Sequence, residues 1–293
     1  MQRRRFLTIT ACAALAGLPA RADTMPGDVV QWRGVALGAR TTITLGRDDP
    51  ALMRAVRAEI DRLERIFTLY HPDSALMRLN RGELDAAPPE LVECLMLAGR
   101  VHDATAGLFD PTVQPLWQAI AQGGDPATAP VGWDGVTITT SRITLRPGMA
   151  LTLNGIAQGF IADRVAALIR AAGLNNVLID TGEMVALGPA PNGQPWPIRW
   201  PSGGGTGLAG AALASSSPSG MMLPTAHGPV SHILNPLTRT PSPHKWAQIS
   251  VTAPSAAVAD ALSTAFCLMP DRRQMDAACD PFRDTRVILT RIA

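Results

Sequence analysis

Residues 29–67 read VVQWRGVALGARTTITLGRDDPALMRAVRAEIDRLERIF, and the change of period inside them decides the fold class. Positions 29–45 alternate and carry β-branched residues, which predicts paired strands. From residue 50 the period lengthens: Leu52, Val56, Ile60, Leu63 and Phe67 share one face, with Arg54, Glu59, Asp61 and Arg65 off it. That pattern predicts a helix, capped by Asp49 with Pro50 at its first position. Working outward, LYHPDSALMRLN (69–80) predicts a turn into a short helix, and PPELVECLMLAGRVHDATAG (88–107) a longer one. VTITTSRITLRPG (136–148) reads as a hairpin, GIAQGFIADRVAALIRAAG (155–173) as a glycine-opened helix, and NVLIDTGEMVALG (176–188) as a buried strand and its turn. Residues 189–245, dense in Gly, Pro and Ser, predict short strands, followed by a helix around 255–268 and a last strand in TRVILTRIA (285–293). Helices and short strands are interspersed without a βαβ repeat, so the expected class is α+β with mixed or antiparallel sheets flanked by helices.

The 293 residues are 46% hydrophobic and 17% charged, which fits a globular chain with a sizeable core and excludes a disordered one. MQRRRFLTITACAALAGLPARA (1–22) has a basic start, an apolar stretch from Phe6 to Leu18 and an A-x-A signal at Ala20-Arg21-Ala22, the marks of a cleaved export leader. Arg3-Arg4-Arg5-Phe6-Leu7 also resembles a twin-arginine motif, so both export routes stay open. The apolar stretch is too short for a membrane span. The expected organisation is a leader over 1–22 and one domain over 23–293, delivered to the periplasm. The full chain carries 26 basic and 24 acidic residues. The leader holds Arg3, Arg4, Arg5 and Arg21 and no acid, so the remainder has 22 basic against 24 acidic residues, net −2. No cationic surface for nucleic acid follows. Cys94, Cys267 and Cys279 lack C-x-x-C spacing and read as buried thiols rather than a zinc site or disulfide framework.

Four stretches set polar groups in apolar or turn-like surroundings. In GLFDPTVQPLW (107–117), Asp110 before Pro111 is either an Asx turn or a site carboxylate. In LTLNGIAQGFIADR (151–164), Gly155 and Gly159 bracket a helix start; they either let backbone amides receive phosphate or let another helix pack closely. No nucleotide-binding glycine motif is present. In SHILNPLTRTP (231–241), His232 is either structural or catalytic. In ADALSTAF (259–266), Asp260 and Thr264 lie four apart on one helix face. Together they offer hard oxygen ligands of the kind Mg²⁺ takes. The alternative is that Thr264 bonds back to the carbonyl of residue 260 while Asp260 faces solvent.

HPDSALMRLN, GLFDPTVQPLW, GIAQGFIADRV, SHILNP and ADALSTA, in this order, resemble the ApbE family of FAD:protein FMN transferases, from about Trp32 to the end. The resemblance implies a T-fold-like α+β architecture and a reaction: the FAD pyrophosphate is split, FMN is joined through phosphate to a threonine of an acceptor flavoprotein, and AMP leaves. It implies Mg²⁺ held by Asp260, Thr264 and the Gly155 carbonyl. It places Leu37, Tyr70, Leu108, Phe109, Asp110, Thr152, Gln158 and Ile233 at FAD-contacting positions, with His232 or Asp110 as the catalytic proton acceptor. The alternatives left open are an FAD pyrophosphatase and an FAD-binding periplasmic accessory without transferase activity.

The chain departs from the family pattern at several points. Thr152 stands where relatives commonly carry aspartate, Gln158 where they carry lysine, Asn235 where they carry aspartate and Arg239 where they carry glycine. Ser263 replaces a second acid, and SSSPSGMML (215–223) lacks the usual tyrosine. The leader, LNGIAQGF, DTGEM and ADALSTAFCLMP are most similar to the NosX subgroup, which implies a NosR-like membrane or periplasmic flavoprotein as acceptor.

Overall fold

The computed structural model describes residues 21–22, 29–36, 38–200, 203–226 and 228–292. The leader expected over 1–22 therefore lies outside the described residues except for Arg21–Ala22, which pair with Ile198 and Arg199. Leu37 also lies outside them.

Seven strands form the main sheet: β1 (Val30–Ala36), β2 (Ala39–Leu45), β3 (Val177–Asp180), β4 (Met184–Ala186), β5 (Ala211–Ser216), β6 (Trp246–Ala253) and β7 (Arg286–Ile292). They lie side by side in chain order, and every neighbouring pair is antiparallel. Five helices fill the connection between β2 and β3: α1 (Pro50–Phe67), α2 (Ala75–Asn80), α3 (Pro89–Ala104), α4 (Gln114–Gln122) and α5 (Ala157–Ala171). Two more, α6 (Ala256–Phe266) and α7 (Arg272–Cys279), lie between β6 and β7. Long helical insertions that return the chain antiparallel make this an α+β fold, as expected.

Side chains alternate across the strands, so the sheet has two buried faces. Ile43, Leu45, Val177, Ile179, Val185, Ala212, Ala214, Ile249 and Val251 meet the helices in the main core. Leu178, Met184, Ala186 and Leu213 point the other way, onto Trp196, Ile198 and Leu208 of a small hairpin (Trp196–Arg199 with Gly205–Leu208). The α1 face is the one its period predicts: Val56, Ile60 and Leu63 are buried. Each such side chain contributes about 1.5–3 kcal/mol. Asp49 Oδ1 accepts from the Leu52 amide at 3.0 Å and caps the helix. Cys94, Cys267 and Cys279 are free and buried, as expected.

The structure adds three elements to the expected set. β6 lies inside the sheet, between β5 and the edge strand β7, yet its sequence WAQISVTA mixes polar residues into a strand buried from Ile249 onward. Thr252 and Ser250 are buried there, the latter with its hydroxyl 2.7 Å from that of Ser215 on β5. α4 follows the Asp110 turn directly, and α7 has only three buried residues, Met275, Ala278 and Cys279. Among the described residues no helix is long and apolar enough to cross a membrane.

Candidate functional site

The site forms where α5 and α6 cross beside the turn between β3 and β4. A Cβ on Gly159 would lie 2.4 Å from the Ala256 carbonyl oxygen and 2.6 Å from the Ala257 nitrogen, so only glycine permits the crossing. Each helix caps the other. The Gly159 amide, in the first turn of α5, donates to Asp260 Oδ2 of α6 at 3.4 Å. In return Asp163 of α5 accepts from the Ala256 and Ala257 amides of α6 at 2.8 and 3.1 Å, and from the Ser255 hydroxyl at 2.7 Å. Carboxylates at helix N-termini satisfy amides that lack partners and interact favourably with the helix dipole. Of the two readings of Gly159, close packing is the one observed.

Gly155 has a different neighbour. A Cβ there would meet Thr264 Oγ1 at 3.1 Å and Phe109 at 3.4 Å, so Gly155, Thr264 and Phe109 converge. The alternative reading of the α6 pair is corrected. Ser263, not Thr264, donates to the Asp260 carbonyl (3.0 Å), while Thr264 Oγ1 lies 3.3 Å from Ser216 Oγ. Asp260 does not face solvent but is 4% exposed. Burial holds its carboxyl up at about 7 against an ordinary 3.8.

Glu183, in the β3–β4 turn, is a residue to which sequence reasoning gave no role. It is 7% exposed, it accepts from the Ser215 amide, and its Oε2 is buried without a partner among the described residues. Burial, then the nearby charges of Asp260 and Asp180, push it well above the usual carboxylate range. Asp180 is raised to about 6 by burial. Among the described residues no ion pair reaches Asp260 or Glu183. Buried carboxylates without a cation are unfavourable, so the chemistry of this donor set fits a bound divalent ion. Asp260, Thr264 and the Gly155 carbonyl are hard oxygen donors, and few of them, as Mg²⁺ prefers. No cluster of three His, Cys, Asp or Glu competes for that role among the described residues.

Other candidate positions surround this centre. Gln158 Nε2 donates to the Thr181 carbonyl at 3.3 Å, over the turn that carries Glu183. The Thr152 amide donates to Pro111 O at 2.9 Å, which joins the α5 approach to the Asp110 turn. Asp110 is engaged as an Asx turn: its Oδ1 accepts from both the amide and hydroxyl of Thr112, at 2.8 and 2.7 Å. Burial raises its pKa. Asp110, His102, Trp133, Leu237 and Arg239 line a cavity of about 630 Å³ that does not include Asp260 or Thr264. Leu108 is half-buried and Phe109 buried against the core. Ile233 is buried, its amide bonded to Ser231 Oγ. Tyr70 stands apart on the surface, 61% exposed.

His232 is positioned by one segment. Its Nδ1 lies 2.9 Å from the Met221 carbonyl, which cannot donate, so Nδ1 carries the proton and Nε2 keeps a lone pair. Burial lowers its pKa and favours that neutral ring. The same segment, residues 216–221, begins with Ser216 against Ser263 and Thr264.

Two departures from the family pattern have structural accounts. Arg239 sits at φ 60, in the left-handed region that favours glycine, and its Nη1 donates to the Pro126 and Ala129 carbonyls. Asn235 Oδ1 accepts from the Leu237 and Thr238 amides at 2.9 and 3.1 Å, bonds an aspartate would also accept.

A model of the ApbE family matches residues 37–288. The chain is 28% identical over 217 residues to an FAD:protein FMN transferase of Haemophilus influenzae, a match covering 64% of this chain and 63% of that protein. It thus spans under two thirds of that relative. A Chlamydia pneumoniae protein of the same name is 25% identical over 283 residues, 89% of each chain. Among solved structures, the ApbE protein of Thermotoga maritima superposes with a TM-score of 0.77 at 22% identity, over 89% of this chain and 93% of that one, a likeness of fold.

Proposed function

The chain belongs to the ApbE family, and from that premise we propose that it is a Mg²⁺-dependent FAD:protein FMN transferase acting on a threonine of an acceptor flavoprotein. The observation that carries this reading is the convergence of Gly155 and Thr264 beside a buried Asp260 that forms no ion pair among the described residues. A divalent ion bound there supplies charge neutralisation for the phosphoryl oxygens of FAD. The chain's own residues do the rest. His232 Nε2 accepts the proton of the threonine hydroxyl as its oxygen attacks the phosphorus of the FMN half. The bond from that phosphorus to the bridging oxygen breaks, and AMP leaves with the bridging oxygen. His232 suits this role better than Asp110, because its Nε2 is a free acceptor while the Asp110 carboxylate is occupied by Thr112. Phe109, Thr152 and Gln158 border the same centre, and we assign them to FAD contact with Leu37, Tyr70, Leu108, Asp110 and Ile233.

The leader over residues 1–22 supports export to the periplasm, and the NosX-like motifs support a NosR-like membrane flavoprotein as acceptor. Incubation of the purified chain with FAD, Mg²⁺ and a threonine-bearing acceptor should give a covalent, fluorescent FMN–acceptor and one AMP per label. His232→Ala should abolish labelling while FAD still binds. An acceptor left unlabelled beside intact bound FAD sinks the proposal. FMN and AMP formed equally with and without acceptor would identify a hydrolase.

A further inference from the structure

The centre described above leaves one buried carboxyl without a task. Glu183 lies in the turn between β3 and β4 with Oε2 buried and, among the described residues, unpartnered. Its carboxylate accepts from the Ser215 amide, one residue before Ser216, whose hydroxyl touches Ser263 and Thr264 of α6. Gln158 and Gly159, adjacent on α5, bond to Thr181 O and Asp260 respectively and so bridge the Glu183 turn to the metal-facing helix. The other buried side-chain oxygen without a partner among the described residues is Thr41 Oγ1. Thr41 precedes Thr42, which pairs with Asp180 at the start of this same turn. One orphaned oxygen therefore lies in this turn and the other on the strand beside it. Native interiors leave such groups unpaired only where something else satisfies them.

We infer that Glu183 belongs to the divalent-cation site and contributes a second carboxylate beside that of Asp260. This rests on the reading that the chain binds a divalent ion. A lone carboxylate with neutral oxygens leaves a doubly charged ion half-compensated; the second one completes the balance. An ion that keeps part of its water also offers hydrogen-bond donors to Glu183 and Thr41. Without the ion, Glu183 and Asp260 repel each other in a dry environment.

Mn²⁺ binding, followed by electron paramagnetic resonance and calorimetry, separates the possibilities. Glu183→Gln keeps the side-chain volume and the acceptor for Ser215. It should weaken Mn²⁺ roughly 10-fold or more, the scale on which groups supporting a metal site act. In EDTA the same variant should melt at or above the wild-type temperature, because a repulsive charge has been removed. Asp260→Asn should lose Mn²⁺ binding. If wild type and Asp260→Asn bind Mn²⁺ alike, or wild type binds none, the cation reading falls and this inference with it. If Asp260→Asn loses the ion while Glu183→Gln binds it as wild type does, only the role of Glu183 is overturned. A Glu183→Gln protein less stable than wild type in EDTA also overturns it, since Glu183 would then be a structural group already compensated.

Discussion

Gly159→Ala tests the helix crossing on which the site depends. In a helix that tolerated it, alanine would stabilise by about 1 kcal/mol over glycine. Here the new Cβ would lie 2.4 Å from Ala256 O and 2.5 Å from Ala256 C, both backbone atoms of α6. An ordinary carbon–oxygen approach is about 3.3 Å. α6 must therefore retreat by about 0.9 Å, although the main core holds it against β5 and β6. Overpacking of this kind costs about 1–3 kcal/mol, and a clash between two backbones belongs at the upper end. The net is a loss of about 2 kcal/mol, or roughly 4–8 °C in melting temperature for a domain of this size. The retreat also lengthens the bond from Gly159 to Asp260, already 3.4 Å, so affinity for Mn²⁺ should fall as well. Scanning calorimetry with and without Mn²⁺ reads both effects. Gly99→Ala is the control: its Cβ would meet only the Trp133 side chain, at 3.2 Å, and the change should stay within about 1 kcal/mol. A Gly159→Ala protein that melts at or above wild type would refute the close crossing.

Further expectations follow from single groups. Asp260 and Asp180, raised by burial to about 7 and about 6, hold more protons folded than unfolded, so stability rises as pH falls through those values. His232, kept below 6.5 by burial, opposes this on the acid side. Metal-free protein should gain about 1–2 kcal/mol between pH 8 and pH 6, and Mg²⁺ should shrink the gain; a melting temperature that climbs from pH 6 to pH 8 in EDTA contradicts it. At position 239, glycine relieves the left-handed backbone but alanine does not, while both lose the bonds to Pro126 and Ala129. Arg239→Gly should therefore be about 1 kcal/mol more stable than Arg239→Ala in urea denaturation. Asn235→Asp keeps both turn bonds and should unfold at the same urea concentration as wild type, whereas Asn235→Ala should cost about 1 kcal/mol.

How much of this could be read from the residues depends on where the determining contact lies. α1 was legible because its cap, its proline and its period all sit within one stretch. Asp260 and Thr264 were legible as a pair because helical spacing puts them on one face. The burial of Asp260 was not, since it comes from α5, about a hundred residues earlier. For the same reason Asp163 passed unremarked: an acid in mid-helix looks solvent-facing until the start of α6 is brought to it. β6 escaped because Ser250 and Thr252 break its apolar run, and the buried serine finds partners in Ser215 of β5, brought beside it by the sheet, and in Gln248 of its own strand. Glu183 lay within a stretch read as a buried strand and its turn. The sole local signal was an acid amid apolar residues, and the missing counter-charge is a property of space.

The segment 216–221 holds Thr264 at one end and His232 at the other. In the proposed mechanism this short connection therefore helps to set the spacing between ion and base, beside the α5–α6 crossing that holds Asp260. Tuning one half of the chemistry must retune the other. Substitutions at Ser217, Ser219 or Gly220, none of them assigned to the ion or the flavin, should alter metal affinity and labelling rate together, and a selection for faster transfer would find its useful changes there.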